Sequence, residues 1–108
     1  MTARGYLDDA AFARHWVETR AARGVGPVRL RAELAARGIV SALIDAALAG
    51  PASDEALERA RAIARRRLPA LQRTRPERAA ARLSDHLLRR GYPASIVARV
   101  VRELLETG

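Results

Sequence analysis

Apolar residues recur at helical spacing along most of this chain of 108 residues. Phe12 and Trp16 lie four residues apart, as do Leu30 and Leu34, so each pair falls on one side of a helix. Alanine, leucine and arginine dominate, whereas strand-favouring residues are sparse. The pattern therefore predicts an all-α chain. Six helices are predicted. The first three cover about residues 8–23, about residues 27–37, and residue 41 to the Gly50-Pro51 pair. The last three run from residues 53–54 to an end or kink at Pro69, from residues 74–77 to Gly91, and over about residues 94–106.

The predicted helices start and stop at residues that suit helix ends. Asp8 and Asp9 precede the first apolar stripe, where their carboxylates can accept hydrogen bonds from the first free backbone N–H groups. Gly5, just before them, is interpreted as the stop of an earlier helix. Ser41 is predicted to cap the third helix, and the 74–77 segment, Thr-Arg-Pro-Glu, has the spacing of a capping box.

The two halves of the chain superpose at the 53-residue shift that carries Gly38 onto Gly91. The matched pairs are Leu30 with Leu83, Leu34 with Leu87, Arg37-Gly38 with Arg90-Gly91, Leu43-Ile44 with Ile96-Val97, and Ala47-Leu48 with Val100-Val101. Small helical units that cannot bury their apolar faces alone stack on neighbouring units. We therefore expect tandem three-helix repeats over residues 6–50 and 53–108, forming an elongated, curved helical array. Residues 1–5 are interpreted as the end of a preceding repeat.

The net charge of +8 comes from arginine alone, because the chain contains no lysine. Residues 1–50 hold seven arginines against five acids, a net charge of +2, and residues 51–108 hold thirteen against seven, a net charge of +6. The segment 59–90 has eleven arginines and two acids. Clustered positive charge of this kind favours a polyanion or an acidic protein surface as partner.

Several classes of protein find no support in the sequence. The absence of cysteine excludes disulfides and thiolate metal sites, and no apolar run approaches the roughly 20 residues of a membrane span. Asp8 and Asp9 lack a third metal ligand, and His15 and His86 are isolated. Neither a nucleophile with its base nor a glycine-rich phosphate loop is present. We therefore expect a soluble cytoplasmic protein without catalytic residues, metal or cofactor, in which Phe12 and its neighbour Trp16 serve packing.

Three segments together resemble the RecX family of regulatory proteins. They are GYLDDAAFARHWVETR, GVGPVRLRAELAARGI and LLRRGYPASIVARVV. The resemblance implies tandem three-helix repeats and a non-enzymatic negative regulator of the RecA recombinase. Such a regulator would lie in the groove of the RecA–single-stranded DNA filament and hinder strand exchange, ATP hydrolysis and coprotease activity. Family members usually carry a further repeat before the first segment, so the chain resembles their second and third repeats.

Arginine suits both partners that this resemblance implies, since its planar fork can donate two parallel hydrogen bonds to a carboxylate or a phosphate. The arginines expected to contact the RecA filament or DNA phosphates are Arg20, Arg23, Arg29, Arg31, Arg37, Arg65, Arg66, Arg67, Arg89 and Arg90. The end of the chain near Tyr6 and Phe12 is expected to allow self-association. One alternative is a stand-alone helix-turn-helix DNA-binding protein with residues 42–49 as recognition helix, and another is an adaptor that docks on an acidic protein.

Overall fold

The computed structural model describes the backbone of residues 3–49 and 51–106 and the side chains of residues 8–49 and 54–106. Within these ranges the chain forms helices and no strand, so the all-α prediction is confirmed. The molecule is elongated, more than twice as long as it is wide. The helices are α1 (Ala3–Ala21), α2 (Pro27–Ala36), α3 (Ser41–Leu48), α4 (Pro51–Thr74), α5 (Ala79–Arg90) and α6 (Ala94–Glu106), with a short 3-10 helix (Pro76–Arg78) before α5.

Each group of three helices has its own hydrophobic core. Leu30 and Leu34 of α2 are buried in the first core, and their counterparts Leu83 and Leu87 of α5 are buried in the second. The repeat inferred from the sequence is therefore confirmed at these positions. The buried residues of the first core are Ala13, Val17, Ala21, Leu30, Leu34, Ile39, Leu43 and Ile44, and those of the second are Ala56, Ala60, Ala64, Leu83, Leu87, Tyr92, Val97 and Val100.

Two helices begin earlier than the sequence predicted. Since α1 begins at Ala3, Asp8 and Asp9 lie inside the helix, and the predicted caps are wrong, as is the predicted stop at Gly5. A glycine inside a helix costs only about 1 kcal/mol, which the burial of the α1 apolar stripe offsets. The α4 helix begins at Pro51, because proline fits a first turn where its missing N–H has no partner to lose. Gly50, which was predicted to close α3, lies outside the described residues.

Two hydroxyl caps predicted at helix ends are also wrong, and α4 does not end at Pro69. Ser41 is the first residue of α3 after the N-cap Val40, and no side chain of the described residues caps this helix. Thr74 ends α4, and its hydroxyl donates to the carbonyl oxygen of Ala70 at 2.9 Å instead of capping the next turn. The helix also continues through Pro69, because partly buried leucines on either side of the proline pack against the second core.

The two repeats contact each other through α4, which packs against α1 and α3, and through the end of α5, which rests on the start of α2. We call the second of these contacts the joint. The backbone N–H of Gly26 donates to the carbonyl oxygen of Arg90 at 2.8 Å, and that of Val28 donates to Gly91 at 2.9 Å. Backbone donors left free at the start of α2 thus satisfy carbonyl acceptors left free at the end of α5, so the opposite ends of the two helix dipoles lie next to each other. Tyr92, 1% exposed, fills the space beside this contact.

Glycine makes the close approach in the joint possible. A Cβ atom added to Gly26 would lie 2.4 Å from the carbonyl carbon of Gly91, and one added to Gly91 would lie 2.4 Å from the Cβ of Arg29. Gly91 also has a φ of +99°, a conformation that glycine adopts without strain. Gly38, its counterpart in the first repeat, has a φ of +84° but has open space around it.

No helix in the described part of the chain combines the length and the apolar character needed to cross a bilayer.

Candidate functional site

A groove with a volume of about 460 Å³ lies between α4 and α5 of the second repeat. Its apolar residues are Ile63, Ala70 and Leu71, and its polar ones are arginines from both helices together with a histidine and a threonine. No carboxylate of the described residues lines it. The basic lining residues are Arg66, Arg67, His86 and Arg90.

The groove continues across the joint onto the first repeat. A second hollow of about 310 Å³ shares Ile63, Arg66 and Arg90 with the first and adds Arg23 and Arg59. Within the described ranges, this hollow too has no acidic residue in its lining. The two hollows together form what we call the arginine groove, lined by Arg23, Arg59, Arg66, Arg67, His86 and Arg90.

Arg90 is held in place by the other repeat. Its Nη1 donates to the carbonyl oxygen of Arg23 at 3.1 Å, and the guanidinium lies over Gly24, where an added Cβ would come within 3.0 Å of Nη1. The Arg90 guanidinium can therefore occupy this position because Gly24 has no side chain. One of the five guanidinium donors is used in this bridge, and Arg90 lines both hollows of the groove.

Most of the arginines in the groove have no intramolecular ion pair among the described residues. In that part of the chain, only Arg59 among them pairs with a carboxylate, that of Glu55 at 3.1 Å. Several like charges on low-dielectric walls, without neutralising acids, produce a positive potential that concentrates anions. The arrangement is thus suited to bind a polyanion, and no further chemistry follows from its side chains.

His86 lies within this groove, although nothing in the sequence linked it with the arginines beyond spacing. The side chain is half-buried, and burial lowers its pKa, as do the positive charges of Arg67, Arg90 and Arg89. The imidazole is therefore neutral at neutral pH. The signal that the sequence did contain was the four-residue spacing from His86 to Arg90, which places both on one helix face.

Two arginines of the first repeat, Arg20 and Arg29, converge instead on a single acid, Glu33. Arg20 donates two hydrogen bonds to the Glu33 carboxylate, both 2.7 Å long, and the indole N–H of Trp16 donates a third at 3.0 Å. Arg29 lies 3.5 Å from the same carboxylate. Glu33 thereby ties α1 to α2, a role that the sequence indicated only for the local pair with Arg29.

Two more predicted contact arginines have partners within the first repeat. Arg31 pairs with Asp45 of α3 at 2.7 Å, and the guanidinium carbon of Arg37 lies 4.2 Å from the centre of the Trp16 ring. Trp16 packs against the first core, as predicted. Phe12 is 39% exposed, with its ring centre 5.6 Å from that of the indole, so it packs on Trp16 at the surface and not within the first core.

The structure thus brings four of the ten predicted arginines together in the groove and adds Arg59 and His86. Arg65 and Arg89 are exposed outside it, and Arg89 lines an adjoining hollow that shares Arg67 with the groove and also contains Glu77 and Asp85. The four in the groove are Arg23, Arg66, Arg67 and Arg90, and the four with partners inside the first repeat are Arg20, Arg29, Arg31 and Arg37. Contact with a partner remains a prediction for all ten.

The convergence on Glu33 predicts a loss of stability in acid. Hydrogen bonds from Arg20 lower the pKa of this carboxyl, against the opposing effect of burial, and Trp16 lowers it further. A lowered folded-state pKa gives stability above the ordinary value of 4.5 that disappears as pH falls through the folded-state value. We expect Glu33→Gln to cost about 1 kcal/mol at neutral pH and to flatten the acid dependence. Urea unfolding across pH measures both, with Asp45→Asn in an exposed pair as control; an unchanged acid dependence in Glu33→Gln would contradict this role.

Comparison with known families agrees with the two-repeat architecture. The family model described as "RecX, second three-helix domain" matches residues 8–48, and the one described as "RecX, third three-helix domain" matches residues 53–101. These spans contain most of α1–α3 and of α4–α6, respectively. No solved structure matches the chain.

Whole-protein relatives agree with the family models. The chain is 45% identical to a protein named Regulatory protein RecX from Thermobifida fusca, over 94% of the chain and 56% of that relative. It is 37% identical to proteins of the same name from Streptomyces coelicolor, over 94% of the chain and 55% of the relative, and from Thermus thermophilus, over 100% and 68%. It spans little more than half the length of the first two. The chain belongs to the RecX family of regulatory proteins.

Proposed function

We propose that this chain is a negative regulator of the RecA recombinase that binds along the groove of the RecA–single-stranded DNA filament. The observation that carries the proposal is the arginine groove, which runs from the second repeat across the joint with no acidic residue of the described ranges in its lining. Family membership supports the regulatory class, and the elongated shape suits a body that follows a helical groove.

In this proposal the chain acts by occupying the groove of the filament and does not catalyse a reaction. The α4 helix has 24 residues and so extends about 36 Å, which gives the cationic side a length over which several anionic groups can be contacted at once. Arginines there would contact carboxylates of RecA and phosphates of its DNA through paired hydrogen bonds. A chain in that position would hinder strand exchange, ATP hydrolysis and coprotease activity in the cytoplasm, and the units that act are the repeats over residues 6–50 and 53–108.

A comparison of partners tests this proposal. Purified chain is mixed with RecA filaments on single-stranded DNA, and co-sedimentation and inhibition of the RecA ATPase are measured beside binding to naked duplex and single strands across salt. Preference for the filament is expected. Tight, sequence-selective binding to bare duplex would instead support the helix-turn-helix alternative, although the α3 residue Asp45 is paired with Arg31 and Leu43 and Ile44 are buried. If the chain binds neither the filament nor naked DNA, the remaining hypothesis is an adaptor that docks on an acidic protein.

We also propose that the N-terminal end of the chain mediates self-association. Phe12 has an exposed ring on α1, and the Tyr6 side chain lies outside the described residues. An exposed aromatic of this kind loses contact with water when a second chain covers it. Light scattering or sedimentation over a range of concentrations should show a mass that rises with concentration and falls in Phe12→Ser; a constant monomeric mass would contradict the proposal.

A further inference from the structure

We propose that the arginine groove is a proton-linked phosphate-binding site, which holds the phosphodiester backbone of single-stranded nucleic acid and in which His86 gains a proton as the phosphates bind. The proposal rests on the proposed function only for the choice of nucleic acid as the source of the phosphates. It adds a named site and a histidine that the family comparison does not provide.

The lining of the groove argues for a phosphate polymer. Arg23, Arg66, Arg67 and Arg90 have no ion pair in the described residues, and they are distributed along two connected hollows instead of being gathered at one point. A row of guanidinium groups matches a chain with evenly repeated charge, since each can donate paired hydrogen bonds to one phosphate. The apolar floor, which includes Ile63, can contact sugars and bases.

The shape of the site favours a single strand over a duplex. The groove is a concave channel between the α4 and α5 helices, and its two parts have volumes of about 460 Å³ and 310 Å³. An extended single strand can follow such a channel with its phosphates against the arginines and its sugars or bases against the apolar residues. Proteins that bind single strands without sequence preference commonly use a positively charged groove that follows the backbone.

His86 is placed to respond to phosphate. It lines the channel opposite the α4 residues Arg66 and Arg67 and one turn from Arg90 on its own helix. Before binding, burial and the nearby positive charges lower its pKa and keep it neutral. A phosphate between these groups would offset that repulsion and favour the charged imidazolium. Binding would then be accompanied by proton uptake, and affinity would rise as pH falls.

The other charged groups near His86 do not reverse the expected proton uptake on phosphate binding. On α5, Arg89 adds to the positive charge beside it, while Asp85 lines the neighbouring hollow that opens on the other side of Arg67. In the 3-10 helix, Glu77 lines that same hollow, together with Arg78 and Arg82. In α6, which the structure describes throughout, no charged residue lines either part of the groove.

The pH dependence of binding is the primary test. Fluorescence anisotropy of a single-stranded oligothymidylate is measured with the full chain from about pH 7.5 to about pH 5.5, the range in which histidine titrates. The wild-type affinity should rise by up to about tenfold per pH unit, the limit for one proton. In His86→Gln this rise should disappear, whereas His15→Gln, which alters the exposed histidine of α1, should retain it. Absence of binding, a wild-type affinity independent of pH, or a pH response that persists in His86→Gln would overturn the proposal.

The salt dependence tests the arginines separately. For single strands the slope of log affinity against log salt is about −0.7 for each phosphate neutralised, so four free arginines predict about −3. Arg66→Gln should reduce the magnitude of the slope by about 0.7, and Arg65→Gln, its neighbour outside the groove, should not. Equal effects of the two variants on the slope would overturn the site. It would also be overturned if polyglutamate displaced the labelled oligothymidylate as effectively as unlabelled oligonucleotide does. If the oligonucleotide results fail but the RecA filament is still inhibited, the groove proposal falls and the proposed function stands.

Discussion

Replacing Gly91 by alanine is expected to lower the free energy of unfolding by about 2 to 5 kcal/mol. About 1 to 2 kcal/mol of this comes from placing a Cβ atom on a residue with a φ of +99°. A further 1 to 3 kcal/mol, approximately, comes from overpacking, since that atom would lie 2.4 Å from the Cβ of Arg29. Relief of this overlap requires the repeats to separate, which breaks the hydrogen bonds from Gly26 and Val28.

The internal repeat supplies a matched control for this variant. Gly38 occupies the equivalent place at the end of α2 with a φ of +84°, but no atom of the described residues lies near its added Cβ. Gly38→Ala should therefore lose only the conformational part, about 1 to 2 kcal/mol. Urea unfolding of both variants, followed by circular dichroism, measures the difference. Equal losses would show that the joint contributes nothing to stability.

The joint can also be tested from its other side. Gly26 has a φ of −82°, which alanine adopts without strain, so a loss in Gly26→Ala reflects only the overlap with the backbone of Gly91 and Tyr92. If either substitution opens the same joint, the double variant should lose less than the sum of the two single losses. A strictly additive double variant would mean that the two glycines act independently.

The sequence predicted the helices and the repeat because these depend on local spacing. Leu30, Leu34, Leu83 and Leu87 fall on the same face within each unit, and all four are buried as this spacing requires. Helix ends were predicted less well. Serine and threonine hydroxyls, together with aspartate, suit both helix caps and exposed helix positions, so their presence does not identify a boundary.

The joint could not be predicted because it depends on contacts between distant segments. Gly26 and Gly91 are far apart in the chain, and nothing in their neighbourhoods shows that their backbones touch. Tyr92, which is almost completely buried beside them, was likewise separated in the sequence from the residues of the first repeat that it faces. The register of the repeat identified Gly91 only as the equivalent of Gly38. It could not show that Gly91 is covered by Arg29 whereas Gly38 has open space around it.

The candidate site was predicted in composition but not in arrangement. Arginine density identified the second half as the more basic, yet it could not separate arginines with internal partners from those without. Glu33 satisfies Arg20 and Arg29, so the basic residues of the first repeat contribute less positive potential than their number suggests. The groove arginines other than Arg59 have no ion pair in the described part of the chain, and no acid there lines either of the two hollows that form the groove.

If the chain binds RecA filaments as proposed, removal of charge inside the arginine groove should weaken binding more than removal of the same charge outside it. Arg66→Gln combined with Arg67→Gln removes two groove residues, and Arg65→Gln combined with Arg89→Gln removes the same charge from exposed positions outside the groove. A hydrogen bond to a charged group contributes about 1.5 kcal/mol or more, so the groove variant should bind RecA filaments about 100-fold more weakly. The control variant should change by no more than about threefold, the result of reduced long-range attraction.

Co-sedimentation and the concentration needed for half-inhibition of the RecA ATPase measure this difference. Both variants have the same net charge, so a loss that follows charge alone would appear equally in the two. Circular dichroism and urea unfolding should show that both remain folded, because none of the four arginines has an ion pair in the described residues and all are exposed. A filament affinity reduced to the same extent by both pairs would mean that binding responds to overall charge, and the assignment of the interface to the channel between α4 and α5 would then be wrong.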